Sequence, residues 1–415
     1  MNGSGLRSFA MTTTAPAPIG HERGTPGFRR LGLAMWFCGT ATFVLVYAVQ
    51  GLLPVLATEF GVSSGTSSLA LSATTLTLAL AVVPLSAVAE SWGRARVMTV
   101  ALTASAVLGL LAPLAPTFAV LVGIRALQGI ALAALPALAM AHVSREIAPR
   151  HLGGAMGLFI AGNTIGGLSS RIISTTVADV AGWRVGLLAV GVVSLACTVG
   201  FRLLLPPSVA PEAVPVRLRD LGPQLRLHLR DPGLRCLFGI GALLMGTFVT
   251  VYNYLGFRLL AEPFDLPAGL VALIFLGYLA GSYASTVAGR LGDRFGRRRV
   301  QWIGMVVGVV GLWLTGPDLL PTVLVGLLVV TVGFFAGHSL ASSWVGRRSA
   351  MLPGGSPGIA SSLYLFCYYA GSSVGGTVGG VVFDHGGWLG LLGFCTALLL
   401  AALALALRLR RVPPP

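Results

Sequence analysis

The stretch from Gly289 to Val300, GRLGDRFGRRRV, packs six charges into twelve residues between two long apolar runs, and it reads as a short turn between membrane spans. An earlier copy, SAVAESWGRARV, runs from Ser86 to Val97, with Glu90, Gly93, Arg94 and Val97 where Asp293, Gly296, Arg297 and Val300 stand in the later one. The chain is therefore doubled. A second pair of segments agrees: Ala161-Gly162 followed by Gly166-Gly167 is answered by Ala370-Gly371 followed by Gly375-Gly376, at an offset of 209 against 203 for the turns.

Working outward, hydrophobic residues make up 55% of the chain and charged residues only 10%, which leaves too little polar surface for a soluble globule. The net charge of +15 does not indicate nucleic acid, because the basic residues are spread over short connections rather than gathered in one domain. All 28 of them are arginine. The five cysteines lie in or beside apolar runs with no CxxC and no neighbouring histidine, so no metal site and no cofactor is expected.

Twelve apolar segments, at about 31–56, 69–89, 97–115, 118–142, 152–178, 184–205, 234–260, 268–288, 300–316, 320–345, 357–383 and 386–407, are each long enough to cross roughly 30 Å of hydrocarbon. The expected organisation is a disordered cytoplasmic tail (1–30), a six-helix bundle (31–205), a cytoplasmic linker with an interfacial helix (206–233), a second six-helix bundle (234–407) and a short cytoplasmic tail (408–415). With the N-terminus inside, cytoplasmic segments hold 24 arginines and outer connections only Arg184 and Arg258. Arg125 and Arg171 remain, inside the fourth and fifth spans.

Twelve spans in two sixes, a basic central loop and the repeated GxLxDRxGRRxxV turn resemble the major facilitator superfamily of secondary transporters. The later turn matches that family's loop motif at Gly289, Leu291, Asp293, Arg294, Gly296, Arg297 and Arg298; the earlier one departs at Ser86, Glu90 and Ser91. Arg125-Ala-Leu-Gln128-Gly129 is similar to the RxxQG motif of the superfamily's drug and proton antiporters, and this resemblance implies proton-coupled efflux. The glycine motif at Gly162 to Gly167 lacks the antiporters' proline, for which Gly167 stands. The runs GNTIGGLSSRIIS, GFFAGHSLASSWVG and SSLYLFCYYAGSSVGGTVGG look like the YnfM-like, arabinose-efflux-type branch of bacterial inner-membrane permeases.

An arginine at mid-bilayer costs about 2.5 to 3.5 kcal/mol on insertion scales, so Arg125 is expected to face a water-filled cavity, with Gln128 on the same helix face. Arg171 reaches either that cavity or, by snorkelling, the outer surface. No acidic residue lies inside a span, which leaves His338 as the mid-membrane group with an ordinary pKa near neutral; a lone histidine also serves as a packing residue.

Resemblance assigns Glu90, Arg94, Asp293, Arg294 and Arg297 to a conformational latch, while topology alone accounts equally well for Arg297 to Arg299. Tyr47, Gln50, Asn163, Asn253, Tyr364 and Tyr368 are the expected lining of a substrate cavity, whereas Tyr254, Tyr278 and Trp344 also suit an interfacial belt. Gly162, Gly166, Gly371 and Gly375 give close helix contacts.

The sequence thus predicts a monomeric all-α integral membrane protein of the bacterial inner membrane with both termini cytoplasmic. It is expected to export a small amphipathic or sugar-like solute, in exchange for protons as the antiporter resemblance implies, and to bind lipid but no nucleic acid. An uptake carrier or uncoupled facilitator is the alternative, and a sensor or scaffold a remoter one. An intramembrane enzyme is not expected, since no HExxH, GxSxG or paired acids occur.

Overall fold

The structure, a computed structural model, describes residues 20–208 and 218–413; the expected tail and linker fall outside the described residues over 1–19 and 209–217, as does the Glu90 side chain. The first half comprises α1 (Pro26–Val46), α2 (Leu53–Phe60), α3 (Ser64–Ser67), α4 (Leu69–Trp92), α5 (Arg94–Leu111), α6 (Phe118–Leu132), α7 (Leu135–Glu146), α8 (Leu152–Ala181) and α9 (Trp183–Leu204). A linker helix, α10 (Leu218–Arg230), follows. The second half comprises α11 (Pro232–Leu260), α12 (Ala268–Ile274), α13 (Tyr278–Phe295), α14 (Arg297–Leu314), α15 (Leu320–Met351) and α16 (Pro357–Leu409).

Nine described segments are long and apolar enough to cross a membrane. One of them, α16, turns over at Gly387 (φ 57°, ψ −155°) and supplies two spans. The other two are α8 and α14, whose arginines and small polar residues lower their apolar average. The result is twelve transmembrane helices in two six-helix halves. Large apolar side chains such as Leu80, Leu127, Val192 and Val310 stand exposed on the outside of the bundle, as lipid requires.

Matched backbone details run through both halves. Thr25 caps α1 by accepting from the Phe28 amide, with Pro26 and Gly27 next; Asp231 caps α11 by accepting from the Leu234 amide, with Pro232 and Gly233 next. The first helix therefore begins at Pro26, five residues ahead of the apolar run. Gly93 (φ 86°, ψ 125°) and Gly296 (φ 89°, ψ 127°) make the two charged turns in the same conformation, one that favours glycine.

The glycine pairs cross the same partners in both halves. Gly162 on α8 lies against the Trp36 carbonyl of α1 and Gly166 against the Thr40 carbonyl; Gly371 on α16 lies against the Ala242 carbonyl of α11 and Gly375 against the backbone of Gly246. Partner offsets are constant, 206 on α1 and α11 and 209 on α8 and α16, so one backbone-to-backbone crossing is built twice in register. A Cβ at any of the four glycines would collide with main chain.

The linker helix α10 leans on the second half. His228 is fully buried, with Nε2 2.9 Å from Ser349 Oγ, and Gln224 Nε2 donates to the Gly354 carbonyl at 3.0 Å.

Candidate substrate chamber and gates

Helix α1 ends at Val46 and the chain continues through a 3-10 turn at Gln50–Leu52 before α2. That break frees carbonyls in the middle of the membrane, where no water replaces the lost bonds. Arg125 on α6 binds at that end: it donates to the carbonyls of Leu45 at 2.8 Å and Val46 at 2.7 Å, and also to the Ala70 carbonyl of α4 at 3.2 Å and to Gln128 Oε1. Gln128 in turn donates to the Ser105 carbonyl at 3.0 Å. All of these partners belong to the first half, so Arg125, expected from sequence to face the cavity, is instead an internal clamp of that half. The reason is the break in α1, which the apolar pattern does not reveal.

Arg171 on α8 occupies the place expected for Arg125. It is fully buried and does not reach the outer surface; its guanidinium carbon lies 4.1 Å from the Tyr47 ring centre, 4.4 Å from that of Tyr278 and 5.3 Å from that of Phe275. Tyr278 and Phe275 belong to the second half, so the arginine sits at the junction. Nε donates to Gln50 Oε1 at 2.7 Å, Nη2 to Tyr278 Oη at 2.9 Å and Nη1 to the Gly167 carbonyl, which leaves two of its five N–H groups without an acceptor among the described residues. No described carboxylate pairs with it.

Further unpaired polar atoms lie beside it. Gln50 Nε2 donates to Asn253 Oδ1 at 2.7 Å, and Asn253 Nδ2, on a residue 1% exposed, is unpaired, as is the Thr175 hydroxyl. A cavity of about 160 Å³ opens here, lined by Gln50, Thr175, Tyr252, Val271 and Phe275, with Asp179 at its outer end. Such a volume holds a molecule of one aromatic ring.

The second half supplies an aromatic wall. Phe248 stacks on Phe334 at 3.9 Å and meets Tyr278 at 5.2 Å, while Tyr252 donates to or accepts from Thr331 Oγ1 at 2.8 Å. His338 stands in the same wall: Nδ1 is 2.9 Å from Tyr364 Oη, and its ring centre is 4.8 Å from that of Tyr368. Tyr47, Gln50 and Asn253 thus gather around Arg171 at the junction, while Tyr364 and Tyr368 stand with His338 in the second half's wall. Asn163 does neither; its amide oxygen packs on Gly39 within the first half. Arg125 and His338 bond only within their own halves, so no direct coupling joins them in this conformation.

One end of the junction is shut. Asp384 accepts from the Gly65 amide at 3.0 Å and from the Ser64 hydroxyl, Ser373 donates to the Ser72 carbonyl at 2.9 Å, and Gly65 lies against Gly380. At the other end, which carries the start of α1 and the end of α16, a cleft of about 580 Å³ separates the halves between residues such as Ser86, Met140 and Met156 and residues Ile359, Ser362 and Leu365.

The charged turns border that open end. Arg297 Nη2 meets Asp293 Oδ1 at 3.1 Å across the α13 to α14 turn, Arg94 Nη1 donates to the Ala141 carbonyl at 3.0 Å, and Arg294 lies 5.1 Å from the Phe295 ring. Asp293 is largely exposed, so this pair contributes about 0.5 kcal/mol at most.

Sequence reasoning missed a stronger contact, in which Arg348 grips Asp231 through Nε at 2.6 Å and Nη2 at 2.8 Å. Burial pushes the Asp231 carboxyl up, but the Arg348 fork and the Leu234 amide outweigh it and hold the group below the ordinary carboxylate range. The shared TPG and DPG helix starts were the available signal.

Two related halves, a polar junction walled by aromatics, and access from one end define a membrane transporter. The chain belongs to the major facilitator superfamily, whose sequence pattern matches residues 35–285 and 255–415. It is 40% identical to an uncharacterized MFS-type transporter, YybF, of Bacillus subtilis (93% of this chain, 94% of the relative) and 41% identical to the inner membrane transport protein YnfM of Escherichia coli (94% and 93%). A chloramphenicol resistance protein of Streptomyces lividans is 28% identical, covering 92% of this chain and 95% of that protein. Among solved structures, an inward-facing, occupied bacterial homologue of the lysosomal transporter Spinster has the same fold, with a TM-score of 0.74 at 14% identity over 94% of this chain and 98% of that one. These relatives are transporters, not enzymes.

Proposed function

We propose that the protein exports a small amphipathic solute by alternating access in exchange for protons, and that the described conformation faces the cytoplasm. The observation that carries this reading is Arg171, a buried cation with spare donors, set between a sealed end and an open cleft at the junction of the halves. A solute with an acceptor group docks that group on Arg171 and Asn253 and lays its apolar body against Phe248, Tyr278 and Tyr368. The arginine count supports cytoplasmic termini, hence a cytoplasmic cleft. The two halves, taken as 31–205 and 234–407, rock about this point.

Export rather than uptake is supported by the resistance protein among the relatives. His338, hydrogen-bonded to Tyr364 in the wall, is the group proposed to carry the proton. An uncoupled facilitator is the second reading, favoured by the absence of acids inside the spans. A growth screen of an expressing strain against toxic compounds, chloramphenicol included, identifies a protecting solute. Uptake of that solute into everted vesicles, driven by an imposed pH gradient and lost in Arg171→Ala, is the expected outcome; uptake indifferent to the gradient selects the facilitator.

A further inference from the structure

At the open end of the second half lies a pocket of about 660 Å³, away from the chamber. Arg297, Arg298, Arg299, Arg347 and Arg410 line it together with Trp344, and no acidic side chain among the described residues does. Three separate elements converge there: the start of α14, the end of α15 and the C-terminal end of α16. Asp293, across the turn, is already engaged by Arg297 Nη2 at 3.1 Å, while Arg297 Nη1 is buried without a partner. Arg298 donates to the carbonyls of Arg410 at 2.9 Å and Val412 at 3.3 Å, which draws the end of the chain to the rim.

Membrane topology asks for arginines in cytoplasmic turns, not for their convergence. The first half serves as an internal control. Its turn has the same backbone at Gly93, keeps Arg94 and Arg96 where Arg297 and Arg299 stand, and has Ala95 in the place of Arg298. Like charges held around one pocket repel unless an anion lies among them, and arginine forks fit phosphate oxygens in pairs. The rim identifies the source of that phosphate. Trp344 is within cation–π range of Arg298, 5.9 Å, as an aromatic at headgroup level would be, and Phe295 and Met351 stand half exposed beside it.

We propose that this pocket holds the phosphate of an anionic lipid headgroup, with Phe295 and Met351 against the acyl chains. Basic pockets at the ends of transmembrane helices recognise such headgroups by this chemistry. Inorganic phosphate shares it but cannot use the apolar rim.

The test uses the purified full chain in detergent, titrated with phosphatidylglycerol, phosphatidylcholine or inorganic phosphate while its melting temperature is read. Phosphatidylglycerol should stabilise the protein more than phosphatidylcholine. The combined variant Arg299→Gln, Arg347→Gln, Arg410→Gln should need at least roughly tenfold more phosphatidylglycerol for the same shift, while Arg96→Gln in the first half leaves the response unchanged. Equal stabilisation by the two lipids, or an undiminished preference in the combined variant, overturns the proposal. A full response to inorganic phosphate without lipid overturns the lipid assignment. Should the combined variant fail to fold, Arg347→Gln alone reads the same preference.

Discussion

Gln50 and Asn253, one from each half, meet with Nε2 to Oδ1 at 2.7 Å, and Gln50 passes the contact to Arg171 through Oε1 at 2.7 Å. A neutral hydrogen bond of this kind contributes about 0.5 to 1.5 kcal/mol net, enough to bias a closed end and weak enough to release it. Replacing Asn253 by Ala should raise labelling of a cysteine introduced at Val55 by roughly threefold to tenfold. An unchanged labelling rate would show that the bond does not hold that end shut.

Arg171 carries the transport prediction. Arg171→Ala should abolish concentrative transport while the protein still reaches the membrane, and Arg171→Lys should keep the charge but lose the fork, leaving partial activity with a weakened apparent affinity. Wild-type transport in both variants would remove the chamber from the mechanism.

Arg125 should behave differently, because its bonds go to carbonyls of Leu45, Val46 and Ala70 rather than to the junction. The Leu45 and Ala70 carbonyls also accept from the Ala48 amide and the Thr74 hydroxyl, so removing Arg125 strands chiefly the Val46 carbonyl and Gln128 Oε1, at about 1 to 3 kcal/mol each. Arg125→Ala is therefore expected to lower the melting temperature and the amount of folded protein before any effect on transport is measurable. A stable Arg125→Ala protein that fails only in transport would contradict this assignment.

The two arginines also show how far the sequence could be read. The doubled turn and the spacing of Gly162, Gly166, Gly371 and Gly375 are local patterns, and they gave the fold class, the repeat and the close helix contacts directly. The face of a helix that looks into its own bundle and the face that looks at the other half are both polar-tolerant, so spacing on α6 and α8 could not separate Arg125 from Arg171. What separates them is the break between Val46 and Leu53, an apolar stretch with no marker beyond Gly51 and Pro54. Tyr278, which suits a membrane belt by composition, reaches the centre because a 3-10 turn at Phe275–Gly277 redirects its helix.

The crossing glycines make a stability prediction. Gly371→Ala places a methyl group on the Ala242 carbonyl and should cost about 1 to 3 kcal/mol through forced separation of α11 and α16. Gly393→Ala, where nothing lies within 4 Å, is the control and should leave the melting temperature unchanged or slightly higher. Equal melting of the two variants would contradict the backbone crossing.

The pair of Asp231 and Arg348 predicts a pH dependence. Because the folded carboxyl is held below its unfolded value, its contribution is fully present above about pH 4 and is lost as pH falls through the lower folded pKa. Asp231→Asn should destabilise the protein at neutral pH by about 3 to 5 kcal/mol, since it leaves Arg348 buried without its counter-charge. The gap between the two proteins should begin to narrow below about pH 4 and close only below the folded pKa; a constant gap down to about pH 3 would exclude the carboxylate as its source.

The matched crossings of α1 with α8 and of α11 with α16 have a mechanical consequence. Backbone packed on backbone has no side chain that can change rotamer to absorb a displacement, so each crossed pair behaves as a welded joint. Flexure then falls to places where the helical ladder is already interrupted, among them residues 47–52 on one side and 275–277 on the other. Those two interruptions flank Arg171, so the pieces of chain free to bend include the ones that hold Tyr47, Gln50 and Phe275 around it.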